Sequence, residues 1–273
     1  MPELPEVEVT RRGVDPHICG RTVSHVIMRR AGLRWPFPPD LPDILRGQTV
    51  LATGRRGKYL LLHFAHGCIL IHLGMSGHLR VLPPNTPAAR HDHIDILFGD
   101  QVLRMTDPRR FGALLWHSAA DGDLEQYPLL RVLGVEPLSP QFDGQLLYRA
   151  TRNRSTAIKQ LLLAGNVVVG VGNIYASESL FKAGIHPKTQ AKRIGLARYE
   201  LLAEAIRETL RAAIEQGGST LKDFIGVNGQ SGYFQQSYFV YDREGEPCRI
   251  CGQAVRQIRQ GQRSSFYCVQ CQK

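Results

Sequence analysis

The chain opens with Met1-Pro2-Glu3-Leu4-Pro5-Glu6, and this stretch predicts a helix that begins beside a reactive terminus. Proline suits the first turn of a helix, so Pro5 marks the start of a helix over 5–18. We expect Met1 to be removed because the second residue is small, which leaves Pro2 with a free secondary amine. Such an amine titrates near ~8 and is nucleophilic when neutral, and Glu3 is placed to move a proton. An ordinary terminus without chemistry is the alternative.

Composition indicates a folded protein with an anionic partner. The chain has 273 residues, enough for two domains or one large one, with 43% hydrophobic and 21% charged residues. Its net charge is +10, from 34 Lys and Arg against 24 Asp and Glu, which favours a polyanion. No apolar run is long enough for a transmembrane helix, and the acidic start is unlike a signal peptide. We therefore expect an intracellular protein without disulfides.

After the first helix, residues 21–130 are predicted to be mainly strands. Short apolar runs alternate with turn residues, which is the pattern of antiparallel hairpins. The runs cover 58–64, 68–73, 92–98, 101–105 and 111–117. We expect a β-sandwich or barrel with the N-terminal helix against one edge.

The second half is predicted to be helical. Residues 131–150 show no clear period and are expected to form an irregular connection at the domain boundary. Helical spacing begins near Ser155, Asn173 is expected to cap the next helix, and 196–216 is the longest helix. The fold class is therefore α+β, with an N-terminal β domain and a C-terminal helical domain.

Two CxxC pairs close the chain, Cys248-Arg-Ile-Cys251 and Cys268-Val-Gln-Cys271, with 16 residues between them. This spacing predicts one structural Zn²⁺ held by four thiolates around a β-hairpin. A redox pair is the competing interpretation. Cys19 and Cys68 stand apart, and we expect both to be buried apolar fillers.

Two features suit phosphate contacts. Arg256, Arg259 and Arg263 lie between the CxxC pairs, where guanidinium groups can meet phosphate oxygens or merely solubilise a small module. The glycine-rich turn Val169-Gly-Val-Gly-Asn173 precedes a helix and can present backbone N–H groups to phosphate, or can be a packing turn.

Taken together, the motifs resemble the bacterial formamidopyrimidine-DNA glycosylase (Fpg/MutM) family. The resemblance rests on the opening Met1–Glu8 stretch, on Lys58, on His72-Leu-Gly-Met-Ser-Gly77, on Thr106-Asp-Pro-Arg-Arg-Phe-Gly112, on Val169-Gly-Val-Gly-Asn-Ile-Tyr-Ala-Ser-Glu178 and on the four C-terminal cysteines. It implies a catalytic β-sandwich domain (1–131), a linker (132–150), a helix-two-turns-helix domain (151–237) and a zinc-finger hairpin (238–273).

The resemblance also implies residue roles. Pro2, Glu3, Lys58 and Arg263 would be catalytic. The residues that would fill the gap left by an extruded base are Met75, Arg109 and Phe111. His91, Arg154 and Asn173 would contact DNA, although the surroundings of Arg154 are less lysine-rich than the family pattern. From the residues alone, Met75 and Phe111 could equally be core and Lys58 a solvated surface lysine.

The implied function is a bifunctional DNA glycosylase and AP lyase. It would excise 8-oxoguanine and formamidopyrimidines from damaged duplex DNA through a Pro2 Schiff base, then perform β- and δ-elimination. The resemblance implies a cytoplasmic, nucleoid-associated monomer with one structural zinc. A lesion-reading loop is expected in 219–238.

Three rivals stay open. An endonuclease VIII-type enzyme would remove oxidised pyrimidines with the same proline. A DNA-binding zinc-ribbon protein would need no free Pro2 and no Lys58. A tautomerase could use an N-terminal proline as a base, but such chains are far shorter and carry no zinc module.

Overall fold

The computed structural model describes residues 2–219 and 233–273. The chain forms two compact units. The first comprises Met1–Arg131 and Gln216–Tyr233, and the second comprises Val132–Glu215 and Phe234–Lys273.

Helix α1 (Leu4–Ile18) opens the first unit, one residue before the predicted start. Glu3 is its N-cap, and a capping box with Glu6 satisfies backbone N–H groups that the first turn leaves unpaired. Its buried face includes Val7 and Val14. The predicted helix is therefore confirmed.

Two four-stranded antiparallel sheets share one core in this unit. The strands are β1 (His25–Met28), β2 (Ala52–Arg56), β3 (Tyr59–Phe64), β4 (Gly67–His72), β5 (His78–Leu82), β6 (Asp92–Leu97), β7 (Val102–Thr106) and β8 (Ala113–Ser118), with a short helix α2 (Leu41–Leu45) between the first two strands. Their orders are β1-β6-β7-β5 and β2-β3-β4-β8. Buried side chains of both sheets belong to one hydrophobic cluster, which includes Leu60 and Ile71 of one sheet and Ile96 and Leu103 of the other.

The register shows why the predicted hairpins form. Leu61 pairs with Leu70 across β3 and β4, and Ile96 pairs with Leu103 across β6 and β7. Strands β2 and β5 are edge strands of their sheets, and α1 contacts both. The sandwich with a helix at one edge is confirmed.

Besides two short 3-10 helices at Ala191–Arg193 and Phe234–Ser237, the second unit contains four α-helices and one hairpin among its described residues. They are α3 (Gly144–Thr151), α4 (Ile158–Ala164), α5 (Asn173–Lys182), α6 (Leu196–Glu215) and the strands β9 (Arg256–Gln260) and β10 (Arg263–Tyr267). Helix α6 ends as predicted, since Gly217 and Gly218 follow it with φ of 76° and 82°, a conformation that favours glycine.

Three local predictions were wrong. Residues 131–150 are not wholly irregular, because the Asp143 side chain accepts from Leu146 N at 2.6 Å and caps the eight-residue helix α3. Gly172, not Asn173, is the N-cap of α5, so Asn173 is its first helical residue. Cys19 is exposed just beyond α1, whereas Cys68 is buried on β4 as expected.

In the described part of the chain, no helix combines the length and the apolar character that a membrane crossing needs.

Candidate functional site

The N-terminal residues are packed and not frayed. Pro2 is buried, and Glu3 is only 2% exposed at the start of α1. The fully buried Glu6 carboxylate accepts from the backbone N–H of Glu3 at 2.8 Å and of Ser219 at 2.9 Å. Helix α1 therefore holds Pro2 and Glu3 at its positive end. Ser219 begins the segment of the predicted lesion-reading loop, of which residues 220–232 lie outside the described residues.

Lys58 lies in the two-residue turn between β2 and β3 and is half-buried. Its charge acts on His72, the last residue of β4. Burial, followed by the positive charges of Lys58 and Arg34, lowers the pKa of His72 to about 4. The neutral ring accepts the backbone N–H of Gly74 at its Nδ1, at 3.0 Å. The positive charge of Lys58 therefore acts on an imidazole, that of His72, which stays neutral near pH 7.

Two neighbouring loops carry the residues expected to fill a gap in DNA. Met75 lies half-buried between β4 and β5, while Arg109 and Phe111 lie exposed between β7 and β8. Phe111 is 47% exposed, so it is not a core residue. The Arg109 guanidinium lies 5.3 Å from the centre of the Phe111 ring, in cation–π range. Together they form an exposed aromatic and basic tip.

His91 precedes β6 at the end of a loop that a buried arginine holds. Arg104 donates to Asp95 and to the carbonyl oxygens of Thr86 and Pro87, at 2.8 to 3.0 Å. Burial alone would raise the pKa of Asp95, but hydrogen bonds from Arg104 and Arg29 outweigh it and leave that pKa lowered. This ionised network holds the loop that leads to His91.

In the second unit, Asn173 is the first residue of a helix, and Arg154 lies in the connection between two helices. Asn173 begins α5 behind the turn that contains Gly170 at φ 84°. Within the described part of the chain, its buried Oδ1 has no hydrogen-bond partner. Arg154 is exposed between α3 and α4, and its Nε donates to the carbonyl of Ala150 at 3.1 Å.

The four C-terminal cysteines converge as a metal site. Their Sγ atoms all lie within 4.8 Å of one another, with Cys251 and Cys268 at 3.4 Å and Cys248 and Cys271 at 3.9 Å. Tetrahedral zinc with Zn–S bonds of about 2.3 Å requires sulfur separations of about 3.8 Å. The donor set fits one Zn²⁺ and leaves no open position, so the metal is structural.

The hairpin β9–β10 presents the expected arginines. Arg256, Arg259 and Arg263 are all exposed, and Arg263 pairs with Gln260 at the start of β10. The three guanidinium groups are therefore accessible to a polyanion.

Sequence reasoning assigned no role to three polar residues near these loops: the half-buried His72 and the buried Ser76 and Asp107. All three lie inside motifs quoted above, and Ser76 donates to Asp107 Oδ1 at 2.7 Å. The available signal was an acidic residue, Asp107, in the same motif as Arg109 and Phe111, but its partner Ser76 lies in another loop of the chain.

Comparison with known families accounts for most of the chain. Residues 1–114 match the formamidopyrimidine-DNA glycosylase N-terminal domain, 133–225 the H2TH domain of the same enzymes, and 245–273 a zinc finger found in FPG and IleRS.

Individual relatives match this chain over all or nearly all of their length. A formamidopyrimidine-DNA glycosylase of Janthinobacterium sp. (strain Marseille) is 70% identical over 273 residues, covering 100% of both chains. The Lactococcus lactis Fpg in complex with abasic-site DNA is 32% identical with a TM-score of 0.91, covering 99% of each chain. The same protein bound to Fapy-dG DNA is 32% identical with a TM-score of 0.90, covering 99% of this chain and 100% of that one.

Proposed function

The chain belongs to the formamidopyrimidine-DNA glycosylase family, and we propose that its buried Pro2 is the nucleophile of this chemistry. It is a base-excision repair DNA glycosylase with AP lyase activity, acting on oxidised purines in duplex DNA. It carries one structural zinc.

The proposed chemistry begins at the N-terminal amine. With Met1 removed, the neutral Pro2 nitrogen attacks C1′ of the extruded nucleotide, the bond from C1′ to the base breaks, and the base leaves with a proton. The Pro2 nitrogen gives up its own proton to the departing base, the C1′–O4′ bond then breaks, and Glu3 donates a proton to O4′ as the sugar ring opens. The C1′–N bond becomes a cationic iminium, which withdraws electrons from C2′.

Two eliminations follow. Loss of a C2′ proton expels the 3′ phosphate, and a second elimination expels the 5′ phosphate, which leaves a one-nucleotide gap. We assign assistance of the first step to Lys58 and of the second to Arg263.

The observation that carries this proposal is the packing of residues 2–6. Pro2 is buried and Glu3 is 2% exposed, and the Glu6 carboxylate holds the Glu3 backbone at 2.8 Å. A terminus that served only as a chain end would need no such order, whereas a nucleophile and its proton carrier need a fixed geometry.

The remaining assignments complete the proposal. Met75, Arg109 and Phe111 fill the gap left by the extruded base, and His91, Arg154 and Asn173 bind the DNA backbone. The Oδ1 of Asn173, which has no hydrogen-bond partner among residues 2–219 and 233–273, supports a polar role for that side chain. We retain four segments: the catalytic sandwich (1–131), a linker (132–150), the helical DNA-binding domain (151–237) and the zinc finger (238–273). We propose that the protein is a monomer and that it acts on DNA at the nucleoid, in the cytoplasm.

Borohydride trapping tests the proposal. Reduction of the iminium should leave a stable protein–DNA adduct on duplexes with an oxidised purine, and peptide mapping should place it on Pro2 with Met1 absent. A protein that retains Met1 should give no adduct, because its Pro2 nitrogen is then an amide. Glu3→Gln should lose base excision but keep some cleavage of abasic DNA.

The outcomes separate the rivals. An adduct at full rate on a lysine after Pro2 replacement would overturn the mechanism. Trapping on oxidised pyrimidines but not on purines would favour the endonuclease VIII type. Tight duplex binding without any adduct would leave a non-catalytic DNA-binding protein.

A further inference from the structure

A buried carboxylate joins the two loops that carry the gap-filling residues. We call these loops the wedge loops: residues 73–77 between β4 and β5, and residues 107–112 between β7 and β8. Asp107, which begins the second loop, is completely buried. An acidic side chain is therefore buried next to the exposed tip that Arg109 and Phe111 form.

Every polar group of Asp107 has a partner. Its Oδ1 accepts from the Ser76 hydroxyl at 2.7 Å, and its Oδ2 accepts from the backbone N–H of Gly112 at 2.8 Å. Its own N–H donates to the carbonyl oxygen of His91 at 3.0 Å. Its carbonyl oxygen lies 2.8 Å from Nε2 of His93. Asp107 thus closes its own loop and fastens it to the strand that follows His91.

Ser76 carries the connection across to the other loop. Its Oγ donates to Asp107 and accepts the backbone N–H of Arg109 at 3.1 Å. Ser76 is only 3% exposed, although its neighbour Met75 is half-buried. One hydroxyl therefore couples the residue beside Met75 to the backbone of Arg109.

The backbones of the wedge loops also touch. A Cβ on Gly74 would lie 2.4 Å from Gly112 N and from the Phe111 carbonyl carbon. Arg110, between the gap-filling residues, has φ of 60°, a conformation that costs energy for a non-glycine residue. Such a backbone persists where surrounding contacts over-determine it, and the Asp107 hydrogen bonds supply those contacts.

We propose that Asp107 and Ser76 are positioning residues that hold the wedge loops as one rigid body. Neither side chain touches DNA, since both are buried. Their function is to present Met75, Arg109 and Phe111 together. This inference rests on the proposed function, because it presumes that these three side chains enter a duplex.

The physical reason is preorganisation. Inserting side chains into a base stack costs unstacking energy, and loops that had to order at the same moment would add a further entropic cost. Loops locked before contact avoid that second cost. The lock should matter for extruding a stacked lesion and much less at an abasic site, where no base must leave the stack.

Ser76→Ala is the first test. It removes the bridging hydroxyl and should lower kcat/KM for lesion excision from duplex DNA about tenfold, the factor for a lost buried hydrogen bond to a charged group. Cleavage of a preformed abasic site should fall by less than about threefold. The fluorescence rise of 2-aminopurine beside the lesion, which reports unstacking, should slow by the same factor as excision.

Asp107→Asn supplies an independent variant. If the amide oxygen accepts from Gly112, the amide nitrogen faces Ser76, whose hydroxyl proton then loses its acceptor. The bond to a charged group is lost, so the excision defect should approach that of Ser76→Ala. The double variant should be no worse than the worse single variant, because both break one connection. Ile69→Val is the matched control: it removes one buried methyl group from β4 and should leave the ratio of the two activities unchanged.

Three outcomes would count against the proposal. Equal losses on lesion and abasic substrates would reduce Asp107 and Ser76 to general stability, and undiminished excision would remove any role. Additive losses in the double variant would mean that the two residues act separately. An active wild-type enzyme with any of these results overturns only this inference, whereas a wild type that neither excises nor traps DNA overturns the proposed function with it.

Discussion

Nζ of Lys159 lies 2.8 Å from Oγ of Ser265 and joins helix α4 to strand β10 of the zinc hairpin. The same ammonium group donates to the carbonyl oxygen of Ser264 at 3.0 Å, and Lys159 is completely buried. Burial of a lysine costs free energy unless its donors are satisfied, and these acceptors meet that need. The strand that begins with Arg263 is therefore located by a helix as well as by the metal.

Arg263 should contribute directly to the salt dependence of DNA binding. Neutralised phosphates release counterions, so log affinity should fall linearly with log salt concentration. Arg263→Ala should reduce this slope by about one unit. Arg12→Ala is the control, because Arg12 already pairs with Glu8 at 2.9 Å, and it should leave the slope nearly unchanged. A slope near zero for the wild type, measured by fluorescence anisotropy, would contradict a DNA partner.

Cys268→Ser should abolish the metal site. Three thiolates and a hydroxyl hold zinc far more weakly than four thiolates, so metal analysis should find zinc lost and DNA affinity mostly lost. The β-sandwich should stay folded by circular dichroism. Cys19→Ser, which replaces an exposed cysteine outside the cluster, should retain one zinc per chain. Full DNA affinity in a zinc-free preparation would refute a structural role for the metal.

Phe111→Ala should separate the two activities of the enzyme. Loss of the aromatic wedge should impair excision from duplex DNA more than cleavage of a preformed abasic site, which needs less unstacking. The comparison is the ratio of the two single-turnover rates. Leu51→Ala removes another exposed apolar side chain, 58% exposed against 47% for Phe111, and should not change the ratio. Equal losses for Phe111→Ala would indicate a packing role.

His72 should make the protein less stable in mild acid. Its pKa falls from 6.5 to about 4 in the folded chain, so between these values the unfolded chain binds a proton that the folded chain does not. The free energy of unfolding therefore rises with pH across this window, by at most about 1.4 kcal/mol per pH unit, and is lost as pH falls. Protonation of His72 would also break its hydrogen bond with Gly74, because the ring Nδ1–H and the Gly74 N–H would both be donors.

Denaturant unfolding at several pH values measures this term. His72→Gln, which keeps an acceptor for Gly74, should reduce the slope of this profile by the contribution of one proton, while His66→Gln on the exposed turn should not. Other groups titrate in the same window, because burial also lowers the pKa of His63, His78 and His186 and raises the pKa of Glu178. The measurement is therefore the difference between the wild-type and His72→Gln profiles. Identical profiles for the wild type and His72→Gln between the two His72 pKa values would contradict a neutral imidazole at this position.

Local sequence determined the elements and the metal site. Turn residues between apolar runs specify the β3–β4 and β6–β7 hairpins, and two glycines end α6. Two CxxC pairs specify four converging thiolates. In each case the interacting groups are close along the chain or have a spacing that one metal demands, so a short stretch carries the whole signal. The short helix α3 was not predicted, because its eight residues are too few to establish a hydrophobic period.

Tertiary structure alone decided which side chains meet around the candidate site. The sequence placed Pro2, Glu3, Lys58 and the gap-filling residues in motifs, but nothing in it revealed that Glu6 would hold Ser219. Nor could it reveal that Asp107 would bind Ser76, 31 residues away. A buried carboxylate is stable only where donors surround it, and strand pairing brings those donors in from separate loops. The chemistry of the residues was legible in the chain, whereas their mutual positions follow from packing the two sheets.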